Sequence, residues 1–192
     1  GGPESGIHRT TDGGESWREE TALLGNSLYG GKAISAETAW CVGEAGVILH
    51  TADGGDTWTQ QLNPFSNILL AVDFISSSTG WAVGELGIVL KTTDGGNNWQ
   101  RQDAGTQEYL FGVDAISDQH IVIAADAGKI FSSFDGGTSW SLQQTPVQST
   151  LYWPSFVNDA EGWVVGELGS ILHTTDAGGS WTRQDAGMDE AL

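Results

Sequence analysis

Short apolar runs alternate with turn signals along the chain, and the same order of runs recurs. In one unit, LLAVDFI (69–75) precedes a serine-rich turn, GWAVG (80–84) leads into ELG, IVLKT (88–92) leads into DGGN, and NWQRQ (98–102) follows. Runs of this length, bounded by turn residues and without a helical period, predict four β-strands per unit. Both faces of the middle runs are apolar, which predicts sheets that are covered on both sides.

A motif with a hydroxyl residue, an aspartate, glycine and tryptophan recurs five times, and each aspartate lies 41 residues after the one before it. A constant period of roughly 40–45 residues is typical of four-stranded propeller blades. The sequence therefore predicts an all-β protein, a β-propeller of four-stranded antiparallel blades. About five blades are represented, four of them complete and one partial.

The repeat divides the chain into a single propeller, or a propeller segment, over residues 1–192. The expected divisions are an outer half-blade with its link and then four blades, at 1–27, 28–68, 69–109, 110–150 and 151–192. The tail after 183 matches the link between blades up to the start of a further inner strand at Leu192. An open sheet edge promotes aggregation, so we expect the propeller ring to be closed by the rest of a longer chain or by self-association with a second copy. A five-bladed ring with a partial blade is the second alternative.

The DGG motif is predicted to be a structural turn between the third and fourth strands. Its carboxylate is expected to accept bonds from N–H groups two and three residues on, and the second glycine is expected to need positive φ, the first being only favoured. A calcium loop needs several oxygen ligands, so no metal is expected. The residues of this motif are Asp12, Asp53, Asp94, Asp135, Asp176, Gly14, Gly55, Gly96, Gly137, Gly178, Trp17, Trp58, Trp99, Trp140 and Trp181.

The motif resembles the Asp-box of bacterial neuraminidase repeats. The longer strings GWAVGELGIVLKTTDGGNNW (80–99), GWVVGELGSILHTTDAGGSW (162–181) and AWCVGEAGVILHTADGGDTW (39–58) resemble the photosystem II stability/assembly-factor-like β-propeller family more closely. The resemblance implies a non-catalytic scaffold for a protein or peptide partner, in an extracytoplasmic compartment that is periplasmic, lumenal or secreted. The family's photosynthetic members use a basic surface patch, and this sequence departs from that pattern.

The composition is strongly acidic, with 25 Asp and Glu against 7 Lys and Arg and a formal net charge of −18. Such a surface repels phosphate backbones and anionic lipids, so neither nucleic acid binding nor membrane insertion is expected. No apolar run approaches the roughly 20 residues of a membrane helix, and the sequence shows no targeting signal. Nothing in it indicates a cofactor.

Departures from the repeat supply the first candidate binding residues. One register of the innermost strands holds Gly30, Ala71 and Gly112 but then Trp153, and we expect it to line the central channel. Beside Tyr152, this indole could form a stacking platform for a sugar or a peptide ring, or it could plug the channel. Two residues further on, the same strands carry the charged candidates Lys32, Asp73 and Asp114.

A ring of carboxylates in the turns between second and third strands is the second candidate, because blade symmetry places these turns on one face. These acids could be solvated turn residues with no role in binding. Alternatively, they could form a docking surface that attracts a basic segment of a partner. The residues are Glu44, Glu85, Asp126 and Glu167.

An enzyme is not expected. Sialidases with this motif resemble one another in a cluster of three arginines, whereas Arg18, Arg101 and Arg183 are predicted to lie on outermost strands. His50 and His173 fall in different blades, which argues against a shared metal site. The alternatives to protein binding are a lectin-like carbohydrate-binding propeller and, less favoured, a sialidase-like glycosidase. The spacing of acidic residues does not identify the pair of acids that glycoside hydrolysis needs.

Overall fold

The computed structural model describes residues 6–20 and 25–185, all of them in strands, tight turns and links. The half-blade consists of β1 (Ile7–Arg9) and β2 (Arg18–Glu20). Blade 1 consists of β3 (Leu28–Ala33), β4 (Ala39–Gly43), β5 (Ile48–Thr51) and β6 (Thr59–Gln60). Blade 2 consists of β7 (Leu69–Phe74), β8 (Gly80–Gly84), β9 (Ile88–Thr92) and β10 (Gln100–Asp103).

Blades 3 and 4 repeat the same order of strands. Blade 3 consists of β11 (Leu110–Ala115), β12 (Ile121–Ala125), β13 (Ile130–Ser133) and β14 (Ser141–Gln143). Blade 4 consists of β15 (Leu151–Phe156), β16 (Gly162–Gly166), β17 (Ile171–Thr174) and β18 (Thr182–Arg183). Residues 1–5 and 21–24 of the predicted half-blade and link, and residues 186–192 of the predicted tail, lie outside the described residues.

Each sheet is antiparallel, and its strands pair in sequence order from the inner to the outer strand. Among the described residues, four sheets have four strands and the sheet of β1 and β2 has two. The predicted all-β propeller of four complete blades and one partial blade is therefore confirmed. No helix in the described part of the chain is long and apolar enough to cross a membrane.

The core lies between blades rather than within one. Three apolar clusters fill the interfaces of blades 1 and 2, blades 2 and 3, and blades 3 and 4. In blade 2, Leu69 and Phe74 pack towards blade 1, whereas Trp81 and Val83 pack towards blade 3. Alternating side chains thus bury both faces of each inner blade, as the doubly apolar runs predict.

Inner strands of neighbouring blades approach so closely that one register requires small residues. A Cβ atom on Gly30 would lie 2.6 Å from the carbonyl oxygen of Leu70, and one on Gly112 would lie 2.0 Å from that of Tyr152. Ala71 occupies the same register in blade 2 and is buried against blade 3. This register therefore faces the next blade, and the expectation that it lines the channel is wrong.

The Asp boxes close their own turns, over a longer span than the sequence predicts. Each aspartate accepts a bond at Oδ1 from the N–H four residues on, at 2.8–3.0 Å, and at Oδ2 from the side chain of that residue. The predicted span of two and three residues is wrong. The residues four positions on, which all have short polar side chains, are Ser16, Thr57, Asn98, Ser139 and Ser180.

The hydroxyl residue two positions before each aspartate completes the turn. It donates to Oδ1 at 2.7–2.9 Å and accepts the N–H of the second glycine at 2.7–2.9 Å. Hydrogen bonds from Thr57 and Ser139 hold the pKa of Asp53 and Asp135 at about 2. These carboxylates are therefore ionised at neutral pH and accept bonds from their own turns.

Both glycine positions of the box have positive φ, whereas the sequence predicts it only for the second. In blade 3, Gly136 has a φ of 71° and Gly137 a φ of 87°. In blade 4 the first position is Ala177, with a φ of 60°. Alanine enters this left-handed region only at a cost in free energy, so glycine is favoured at the first position but, as Ala177 shows, is not required.

The box also joins neighbouring blades. The carbonyl oxygen of Gly95 accepts bonds from Trp40 Nε1 at 3.3 Å and Gln61 Nε2 at 2.6 Å, both in blade 1. The carbonyl oxygen of Gly136 accepts bonds from Lys91 Nζ at 2.8 Å and Gln102 Nε2, both in blade 2. The tight turn thus presents a carbonyl group to the preceding blade.

Candidate binding face at the mouth of the inner strands

One face of the sheets, which we call the mouth face, is formed by the starts of the inner strands and the turns between second and third strands. Backbone bonds join the two: the N–H of Glu44 donates to Ser27, that of Glu85 to Ile68, and that of Glu167 to Thr150. The turns are Glu44–Gly46, Glu85–Gly87, Asp126–Gly128 and 167–169. The Asp boxes lie at the opposite ends of the strands.

The four predicted turn carboxylates all lie on the mouth face, where hydrogen bonds hold them. Glu44 accepts bonds from the N–H of Ser27 at 3.0 Å and from the hydroxyl of Tyr29 at 3.0 Å. Glu85 accepts the N–H of Ile68 at 2.9 Å. In the other two blades the donors are the hydroxyls of Thr150, at 3.1 Å from Asp126, and Tyr152, at 2.8 Å from Glu167.

These hydrogen bonds favour the charged form of two of the acids. The bond from the backbone N–H of Ser27, with that from Tyr29, lowers the pKa of Glu44. The bond from the Tyr152 hydroxyl lowers the pKa of Glu167. The mouth face therefore carries fixed negative charge at neutral pH.

A β-bulge at the start of each inner strand adds larger side chains to the mouth face. The pairing register shifts between Leu28 and Gly30, and at the same point in the other three blades. A bulge leaves one residue unpaired and re-aims its side chain. The sequence indicates only one of the four unpaired residues as a candidate, although all four recur with the 41-residue spacing: Tyr29, Leu70, Phe111 and Tyr152.

Aromatic contacts connect the bulges of blades 3 and 4. Tyr109 lies against Phe111 with ring centroids 6.0 Å apart, and Phe111 and Tyr152 pack edge to face with ring centroids 5.3 Å apart. Tyr29 and Tyr109 are exposed. Aromatic rings therefore stand beside the carboxylates of the mouth face, where they offer apolar and cation–π contacts to a partner.

The charged inner-strand candidates connect blades. Lys32 Nζ lies 2.6 Å from Asp73 Oδ1, and the other oxygen of Asp73 accepts the N–H of Ala115 at 2.8 Å. Asp114 accepts the N–H of Phe156 in blade 4 at 2.6 Å. Asp73 is only 6% exposed. A contribution of Lys32, Asp73 and Asp114 to ligand binding stays a prediction.

Trp153 lies on the outward face of blade 4, the face that in the other blades is covered by the next blade. The indole is 55% exposed, and Val165 beside it on the same face is 40% exposed. The structure thus separates Trp153 from the mouth face, on which its neighbour Tyr152 lies. Carbohydrate stacking on Trp153 stays a prediction.

The described residues do not assemble a metal site or an arginine cluster. No group of three His, Cys, Asp or Glu side chains among them could hold a metal ion. His50 and His173 stack on Trp40 and Trp163 in their own blades, at 4.7 Å and 4.5 Å. The arginines lie on three different sheets: the half-blade, blade 2 and blade 4.

Comparison with known proteins identifies the family. A sequence model of the photosynthesis system II assembly factor YCF48 family matches residues 2–64, 58–117 and 98–189. The chain belongs to this family. No curated protein matches the sequence.

Solved structures of YCF48 have the same fold. A structure of YCF48 bound to D1 peptide matches with a TM-score of 0.65 at 18% identity, over 100% of this chain and 78% of that one. YCF48 from Cyanidioschyzon merolae matches with a TM-score of 0.69 at 20% identity, over 90% of this chain and 60% of that one. An ancestral GH74 enzyme also matches, with a TM-score of 0.72 at 16% identity, over 84% of this chain and 24% of that one. Likeness at these identities establishes the fold alone.

Proposed function

We propose that this protein is a non-catalytic propeller that binds a protein or peptide partner on its mouth face, in an extracytoplasmic compartment. The observation that carries the proposal is the pairing of bulge aromatic residues with turn carboxylates, as in Tyr29 with Glu44 and Tyr152 with Glu167. Membership of the YCF48 family, and a YCF48 structure that holds a peptide, support a peptide as the class of ligand.

The charge of the protein favours a basic partner. With a formal net charge of −18, the chain attracts lysine- and arginine-rich segments over distances of about a Debye length. Such steering accelerates association and is weakened by salt. The tyrosine rings add contacts to the methylene groups and the charge of a lysine or arginine side chain.

The test is binding of a fluorescently labelled peptide of about nine residues in which lysine and leucine alternate, measured by fluorescence anisotropy. We expect binding at about 50 mM salt that weakens roughly tenfold or more at about 300 mM salt. The double variant Glu44→Gln with Glu167→Gln should weaken binding at low salt. The matched control is Glu37→Gln with Asp118→Asn, which also removes two negative charges, because both residues are exposed acids beside Asp boxes at the opposite end of the strands.

Two outcomes contradict the proposal. One is that the wild-type protein does not bind the peptide at low salt. The other is that the control double variant weakens binding as much as the mouth-face double variant does, which would show attraction to the net charge without a docking face.

A further inference from the structure

Two exposed leucines occupy the tips of mouth-face turns in a left-handed backbone conformation. Leu86 in blade 2 has a φ of 54° and is 54% exposed, and Leu168 in blade 4 has a φ of 54° and is 81% exposed. A bulky residue at positive φ is uncommon, because its Cβ atom crowds the carbonyl group. Glycine at the same tips would have no such strain.

Folding does not explain these leucines. The same turn positions in blades 1 and 3 hold Ala45 and Ala127, at φ values of 53° and 55°, so the turn forms without a large side chain. The leucine side chains are exposed and add little to the core. The positive φ therefore belongs to the turn, and the exposed leucine at two of its four tips is the feature that folding leaves unexplained.

The surroundings of each leucine combine apolar surface with acid. Glu85 precedes Leu86, and its carboxylate is fixed by the N–H of Ile68 at 2.9 Å. Glu167 precedes Leu168, and its carboxylate is fixed by the hydroxyl of Tyr152 at 2.8 Å. Each leucine is thus held next to a carboxylate whose position is set by the fold.

An open groove of about 490 Å³ runs beside Leu86, along the outer edge of blade 2 and the link to blade 3. The residues that line it include Asn67, Arg101, Asp103 and Thr106. Amides, a hydroxyl and both signs of charge lie next to an apolar side chain there. This lining suits the polar backbone and mixed side chains of an extended peptide.

We propose that Leu86 and Leu168 are docking contacts for an extended segment of a partner protein in which apolar side chains alternate with lysine or arginine. The apolar side chains contact the leucines, and the basic side chains contact Glu85 and Glu167. The charge of the chain, −18, is complementary to such a segment. This proposal rests on the proposed function and names the contacts and the pattern of the partner.

The test separates binding from stability with two matched double variants. Leu86→Gly with Leu168→Gly removes both the strain and the leucine side chains, whereas Ala45→Gly with Ala127→Gly removes only the strain, at the same turn position. Because glycine relieves positive φ, both double variants should unfold at a higher temperature than the wild type. Only the leucine variant should lose affinity for the lysine–leucine peptide, by roughly tenfold or more.

Three results overturn the proposal. Unchanged affinity in the leucine variant, with the wild type binding the peptide, refutes the docking contacts and leaves the proposed function intact. Equal losses in both double variants show that turn flexibility, not leucine, controls binding. Absence of wild-type binding refutes both proposals. If the glycine variant of the leucines does not fold cooperatively, Leu86→Asn with Leu168→Asn gives the same readout, because asparagine also suits the left-handed region.

Discussion

The outward faces of blades 3 and 4 have equivalent residues in opposite surroundings. In blade 3, Val122, Ala124 and Ile130 are buried under blade 4. In blade 4, at the equivalent positions, Trp163 and Ile171 are only partly buried and Val165 is exposed. The repeat therefore determines which side chains point outward from a blade, whereas the neighbouring sheet determines whether they form core.

The inner strands show the same difference in their polar contacts. Asp114 in blade 3 accepts the N–H of Phe156 in blade 4 at 2.6 Å, and Asp73 in blade 2 accepts the N–H of Ala115 in blade 3. At this register blade 4 has Ser155, which is exposed. In blades 2 and 3 a carboxylate at this register thus accepts a backbone donor of the following blade, whereas blade 4, whose outward face is uncovered, has a serine there.

The largest difference is expected when leucine replaces the equivalent residues of blades 3 and 4, Gly112 and Trp153. Gly112→Leu should destabilise the protein by about 3 kcal/mol, because even its Cβ atom would lie 2.0 Å from the carbonyl oxygen of Tyr152. Trp153→Leu should change the free energy of unfolding by no more than about 0.5 kcal/mol, because the indole is exposed. Urea denaturation of both variants measures the difference.

Similar losses in the two leucine variants would contradict this comparison. They would show that Trp153 is packed in solution by some part of the chain or by a second copy. Gly112→Ala provides the control for size, since the clash already begins at the Cβ atom.

The sequence predicts the architecture well because a period of 41 residues is repeated in every blade. Strand order, turn positions and doubly apolar faces all follow from it, and the strands of blade 2 lie where the runs LLAVDFI, GWAVG and IVLKT predict them. The prediction that the register of Gly30 lines the channel was wrong, because a β-bulge at Tyr29, and at the equivalent residue of each other blade, shifts the pairing by one residue. No residue pattern in a single strand indicates such a shift.

The candidate site is less predictable than the fold. The turn carboxylates could be placed on one face by symmetry, but their partners could not, since Glu44 bonds to a tyrosine 15 residues away. The left-handed tips were missed as well, because Leu86 and Leu168 are not residue types that mark positive φ. Backbone geometry of this kind follows from the turn as a whole.

Asp114 in blade 3 is expected to make a pH-dependent contribution to the stability of the protein. Burial, with a further contribution from Asp73, raises the pKa of Asp114 from 3.8 to about 6. The folded protein therefore binds this proton more tightly than the unfolded chain, so the contribution to stability is full below 3.8 and is lost as the pH rises through about 6. Asp114→Asn should gain about 1–2 kcal/mol over wild type between about pH 5 and about pH 7.5, allowing for partial exposure.

Unfolding by urea at several pH values measures this gain. Ser155→Ala, at the equivalent register of blade 4, is the control, and its stability should follow that of the wild type at every pH. Parallel curves for Asp114→Asn and the wild type would show that the carboxyl group does not titrate between these pH values in the folded protein.

The smallest effect concerns the first glycine position of the Asp box, which also differs between blades 3 and 4. Ala177 has a φ of 60°, and its N–H donates to the carbonyl oxygen of Ala160 at 2.8 Å, a bond that glycine preserves. Ala177→Gly should therefore stabilise the protein by about 1 kcal/mol, because it relieves a left-handed alanine. The reverse change, Gly136→Ala, should destabilise it, since its Cβ atom would also lie 2.8 Å from the carbonyl oxygen of Asp118. Thermal unfolding of both variants measures the two signs. A loss of stability in Ala177→Gly would show that the extra freedom of glycine in the unfolded chain outweighs the strain at this turn.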